Sequence, residues 1–330
     1  MESPLQPSPD AGFTDRSSWL VLGGALLIAA GVVAALLGLL SAAAPMLARG
    51  MPGQAGDSGQ TPFLWMGVLF YEGLAALLIV LGVGSLRARR WALALVQIVL
   101  WTWLFTGILS VLFLALFIPS MPGSPVGAAA GMMPCLILVA LVMGVLLVVL
   151  PLVLLLVYRR QDVRRTVEVR DPGPAWTDRL PLSLLGIVLA LAVSALFTVV
   201  SLFGIRAVPL LGIVIVGWPA KVVLLGIAAL LAVLTVAVYR RSEAGWWGLI
   251  LLQILQLANL VTMRGLNMPS LLRQMGYPEE QVRIAGQFSL FDKPAFLILM
   301  AGAWIALLLF LLAVRKYFRS GFAVGAPPSG

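Results

Sequence analysis

Eight apolar stretches, each roughly 20 residues long and almost free of charge, leave this chain few folds to choose from. They fall at about 18–43, 62–85, 91–118, 133–157, 181–204, 220–239, 245–262 and 294–314. A helix needs about 20 such residues to cross about 30 Å of hydrocarbon, at about 1.5 Å of rise each. A water-soluble fold could not hide so much apolar surface. Of 330 residues, 61% are apolar and 11% charged, against about 25% charged in soluble domains. The chain therefore reads as an all-α, polytopic transmembrane helix bundle of about eight spans.

The positions of Lys and Arg predict its orientation. With the N-terminus inside, the inner segments are the N-tail, Arg87–Arg90, Tyr158–Arg179, Arg240–Glu243 and the C-tail. They hold fifteen of the 22 Lys and Arg residues, the positive-inside bias that places both termini in the cytoplasm. In a soluble protein a net charge of +9 would suggest nucleic acid. Here the cations gather at span ends, so no nucleic-acid partner is expected. Arg87, Arg89, Arg90, Arg159, Arg160, Arg164 and Arg165 are expected to meet anionic lipid headgroups. Trp19, Trp91, Trp176, Trp246 and Trp247 fall at inner ends, and Trp65 and Trp218 near outer ends, as interfacial belts do. The opening MESPLQPSPDAGFTDR lacks the basic n-region of a cleaved leader.

The sequence resembles itself. Trp91–Ile98 (WALALVQI) matches Trp247–Ile254 (WGLILLQI) at five of eight positions, at an offset of 156. Each follows a basic turn, RARR or YRRSEAG, and Pro62 and Pro219 open corresponding spans. These matches predict two tandem four-helix halves. Because four is even, the halves would share orientation, as in parallel-repeat transporters. The expected layout is a cytoplasmic tail (1–17), a first repeat (18–158), a basic cytoplasmic linker (159–180) and a second repeat (181–318). The second repeat would include an outer segment (263–293), and a flexible tail (319–330) would follow.

The stretch GVGSLRARRWALALVQI resembles the tight inner hairpin of small four-span bacterial membrane proteins. VYRRQDVRRTVEVRDPGPAWTDRLPL is similar to the central linker of an uncharacterised eight-span (4+4) bacterial family. The resemblance implies a bacterial multi-pass protein and brings no known activity. The family carries cysteines flanking this linker. Val167 and Leu180 stand there in this chain, so the resemblance implies no metal or redox role for it.

Few residues could carry chemistry. Glu72 lies ten residues into the second span, near the membrane midplane, where a carboxyl group is costly and usually faces a bundle interior. Thr102 and Asn259 lie at a matching depth. Gln253, Gln256 and Asn259 recur at every third residue and are expected to form one polar stripe. Glu72, Thr102, Gln253, Gln256 and Asn259 are thus the candidate buried polar site. Gly24, Gly31 and Gly38, seven residues apart, are candidate helix-packing positions. Pro151 is expected to kink the fourth span. The stretch Val208–Val216 is too short to span and reads as interfacial or re-entrant. In the outer segment, runs opening at Pro269 and Pro278 can form short helices.

The chain has one cysteine and no histidine. It lacks the usual metal and haem ligands, the usual general base, and any phosphate-binding glycine loop. Neither a cofactor, a metal nor an enzymatic activity is expected. Two functions remain open. One is a non-catalytic scaffold or accessory subunit of a membrane assembly, which implies a membrane-protein partner. The other is a small-solute or proton-coupled transporter with a site between the halves near Glu72. Frequent Ala, Leu and Arg suggest a bacterium with GC-rich DNA, hence a plasma-membrane location.

Overall fold

The computed structural model describes residues 17–49, 61–117, 138, 141–142, 144–205, 207–263, 268–275, 279, 282–283 and 294–319. Seven helices are long and apolar enough to cross a membrane. They are α1 (Ser17–Arg49), α2 (Thr61–Leu86), α3 (Arg90–Phe117), α6 (Leu182–Ser201), α7 (Trp218–Tyr239), α8 (Glu243–Thr262) and α10 (Pro294–Val314). A shorter apolar helix, Val145–Tyr158, comprises a π-helical turn, Val145–Val149, followed by α4 (Leu150–Tyr158). Most of the expected span from 133 to its start lies outside the described residues. The chain is an all-α polytopic membrane protein. One exception is a two-stranded antiparallel hairpin, β1 (Ala207–Leu210) and β2 (Ile213–Val216). Short helices α5 (Gln161–Arg170), α9 (Met268–Met275) and α11 (Lys316–Arg319) complete the described elements, apart from a 3-10 turn at Trp176–Arg179.

Contacts group the chain into two compact units. Unit 1 comprises 1–37, 71–107 and 144–179; unit 2 comprises 38–70, 108–143 and 180–330. The segment 159–179 belongs wholly to unit 1, because α5 buries Val163 and Val167, 0% and 1% exposed, in the same core cluster as Leu27, Leu81, Leu100 and Tyr158. Unit 2 takes the first residues of α2, where the Phe70 and Phe197 rings meet edge-on at 5.7 Å.

Glycine sets how closely the helices of unit 1 approach. A Cβ at Gly24 would lie 2.8 Å from the Gly82 carbonyl oxygen, and one at Gly82 would lie 2.7 Å from that of Gly24. One at Gly31 would lie 2.8 Å from Ile79 Cγ1 and 3.0 Å from the Ala75 carbonyl oxygen. α1 and α2 therefore pack antiparallel with small residues facing small residues, the arrangement that lets backbones touch in lipid. Gly38 is also buried. Further along, the position a Cβ would occupy at Gly107 of α3 is filled by the carbonyl of Leu147. Leu147 lies in the π-helical turn ahead of Pro151. Proline has no N–H to return to the residue four back, and the wider turn absorbs that break. Pro151 thus follows a π-bulge, one of the features at which helices bend.

The two basic turns share one geometry. Between α2 and α3, Ala88 N–H donates to Ser85 O (2.9 Å) and Arg89 N–H to Gly84 O (3.0 Å). Between α7 and α8, Arg241 N–H donates to Val238 O (2.9 Å) and Ser242 N–H to Ala237 O (3.0 Å). Both are Schellman closures, with Ala88 (φ 49°) and Arg241 (φ 55°) in the left-handed position that glycine usually takes. Gly84 and Gly245 let the next helix start close by: a Cβ there would crowd Ala92 Cβ at 2.6 Å and the Ala237 backbone at 2.8 Å, respectively.

Candidate functional site

The residues expected to form one polar site belong to two units. Glu72 is partly buried on α2 in unit 1. Thr102, also in unit 1, is exposed, and its hydroxyl donates to Ile98 O of its own helix at 3.0 Å. In unit 2, Gln253 is partly buried with its Oε1 enclosed and unpartnered. Gln256 is exposed. Asn259 Oδ1 accepts a hydrogen bond from Leu211 N–H at 2.7 Å. Along α8 the three residues drift by about 120° in all round the helix axis, and their surroundings differ in burial and in hydrogen bonding.

Asn259 serves the β-hairpin. Leu210 pairs with Ile213, leaving Leu211 (φ 50°) and Gly212 (φ 81°) as a two-residue loop with both residues left-handed, the type I′ pattern. Leucine is a strained choice there. The Asn259 amide oxygen holds its N–H, and Gly212 leaves room for Thr262, whose Cβ would lie 3.4 Å from a Cβ added at 212. The apolar segment 208–216 is thus a hairpin fastened to the end of α8. α9, begun next to Pro269 as expected, touches β1 and buries Leu271.

One buried polar group of unit 1 is absent from the sequence reading. Tyr158, 1% exposed, ends α4. Its hydroxyl lies 2.6 Å from Ser85 Oγ, and Ser85 Oγ donates to Leu20 O at 3.1 Å. Serine has one hydroxyl proton, so Tyr158 is the donor between the two. Gln97 Nε2 donates to Tyr158 O at 2.9 Å, satisfying a carbonyl that the end of α4 leaves free. Four helices thus meet at one tyrosine, and Gly23 provides the space for its ring.

Beside this node the linker clasps the basic turn. Arg89 is the N-cap of α3 and carries no capping oxygen of its own. Asp171, just past α5, supplies it: Oδ2 accepts from Arg90 N–H at 3.1 Å while Oδ1 faces Arg89 Nη1 at 3.4 Å. Asp178 faces Arg90 Nη2 at 3.6 Å and accepts from Ala175 N–H. Replacing Asp171 with Ala removes this cap. The expected cost is about 1 kcal/mol, visible as faster hydrogen exchange at the first amides of α3; unchanged exchange there would show the clasp to be idle.

In unit 2, Trp246 Nε1 donates to Leu311 O at 3.1 Å, and the Arg315 guanidinium lies 4.5 Å from the Trp246 ring centroid. Both units thus tie the last turn of a helix to the start of another with one side chain, Gln97 or Trp246. Among the described residues no group of three or more His, Cys, Asp or Glu could hold a metal ion. In comparisons with known proteins, no family model, curated protein or solved structure matches the chain.

Proposed function

We propose that the chain is a non-catalytic scaffold or accessory subunit of a membrane assembly in the bacterial plasma membrane, with both termini in the cytoplasm. The observation that carries this reading is the middle of α8. Ile254, Leu255, Gln256 and Leu257 are consecutive and all exposed. Four consecutive residues circle a helix, so α8 has exposed surface round most of its circumference at that level among the described residues. An amide within the apolar slab gains from a hydrogen-bonding neighbour, and among the described residues Gln256 has none. A partner's transmembrane helix bearing a polar side chain fits this place. The paired basic turns and the matching WALALVQI and WGLILLQI segments support a duplicated architecture, and the Lys and Arg bias supports the orientation. The transporter reading has less support, since Thr102 and Asn259 are already hydrogen-bonded to Ile98 and Leu211.

Purification from native membranes in mild detergent tests the proposal. The expected result is a membrane subunit at fixed stoichiometry, whose affinity falls about 3- to 30-fold in the Gln256→Leu protein, as the loss of one interhelical polar pair implies. A chain that purifies alone from membranes, or a partner held equally well by Gln256→Leu, would overturn it.

A further inference from the structure

Seven of the arginines at the basic end of unit 1 fall into two groups. Three have acidic partners: Arg89 with Asp171, Arg90 with Asp178 and Arg164 with Glu168. The other four, Arg87, Arg159, Arg160 and Arg165, are exposed and have no ion pair among the described residues. Their places in the chain bring them to one end of the unit. Arg159 and Arg160 follow the last residue of α4, and Arg87 follows the last residue of α2. Arg87 adjoins Ala88, which packs in the same core cluster as Tyr158, Val163 and Val167. Arg165 lies on α5 between those two buried valines. Exposed Val169 and Trp176, 65% and 52% accessible, lie close by in sequence.

We infer that Arg87, Arg159, Arg160 and Arg165 form a binding surface for the phosphate groups of anionic lipids. Two arguments select lipid over a soluble anion. Arg87, Arg159 and Arg160 directly follow apolar helices, which fixes them at headgroup depth. Val169 and Trp176 offer apolar surface to the adjoining acyl boundary, as interfacial residues do. The attraction is mainly electrostatic. An amphipathic helix ordinarily holds a membrane by sinking its apolar face, but α5 has already buried Val163, Thr166 and Val167 against its own bundle. What it presents outward is charge. This surface does not depend on the scaffold reading and would persist if no partner subunit existed.

The test uses the full chain in nanodiscs of phosphatidylcholine with or without phosphatidylglycerol, with retained lipid counted by native mass spectrometry. The expected result is preferential retention of phosphatidylglycerol, falling as ionic strength rises. The triple variant R159Q/R160Q/R165Q should weaken that preference by roughly 100-fold, at about 1 kcal/mol per cation. The neutral exchange R164Q/E168Q, which removes a paired arginine, should leave it intact. Competition by inorganic phosphate at matched ionic strength should be weak. The proposal is overturned by equal retention of the two lipids, by a preference that salt does not change, by its survival in the triple variant, or by displacement with inorganic phosphate. The salt series on the unmodified chain decides the matter even if the triple variant does not fold.

Discussion

Replacing Gly107 with Ala should destabilise the protein by about 3 kcal/mol, the upper part of the usual range for overpacking. The added methyl would land on the backbone carbonyl of Leu147. A flexible side chain could swing aside, but a carbonyl in a helix cannot move without shifting the helix. Thermal unfolding in detergent reads the loss as a lower midpoint. Because the collision arises where Pro151 forces the wider turn, Pro151→Ala should relax that turn and recover part of the loss in the double variant. Equal midpoints for the parent and Gly107→Ala would mean that α3 and the turn are not packed as described.

The second large effect is expected at Tyr158. Tyr158→Ala removes a fully buried ring, and large aromatic deletions of this kind cost about 3–5 kcal/mol. Tyr158→Phe separates packing from hydrogen bonding. It keeps the ring and removes only the donation to Ser85, while Ser85 keeps its own bond to Leu20 O. Its cost should be near 1 kcal/mol. Comparable losses in the two variants would assign the node to the hydroxyl, and two small losses would remove Tyr158 from the core. Gly23→Ala offers an independent check, since its methyl would meet the same ring.

Much of the fold is visible in the sequence because lipid imposes a strong and simple constraint. Seven long helices begin within about two residues of the expected positions, as length and hydropathy allow. Rotation about each helix axis is far less visible. Depth placed Asn259 at the level of Glu72, near the midplane, whereas it stands one turn from the end of α8 with its amide turned towards a hairpin. The hairpin itself was obscured because Leu211 stands where Asn or Asp usually marks a type I′ turn. Gly24 and Gly31 show a seven-residue spacing, and that signal could be read within one helix. Gly82 and Gly107 could not be, since their meaning depends on the register of a neighbouring helix. In the linker, the many arginines masked a plainer pattern. Val163, Thr166 and Val167 recur at helical spacing, and they are the face that packs.

The clasp at Asp171 also has a consequence in time. Arg90 leaves the ribosome 81 residues before the carboxylate that caps it. At roughly 5–20 residues per second, that interval is roughly 4–16 s. Throughout it the nascent first half carries a basic turn that has yet to meet the carboxylates of Asp171 and Asp178. Insertion of the early spans therefore takes place with the full cationic charge of that turn displayed, when charge directs topology most strongly. Neutralisation comes only after the spans are laid down. An Asp placed much earlier in the sequence could cap the same helix equally well, but the turn would then be clasped before the later spans were made.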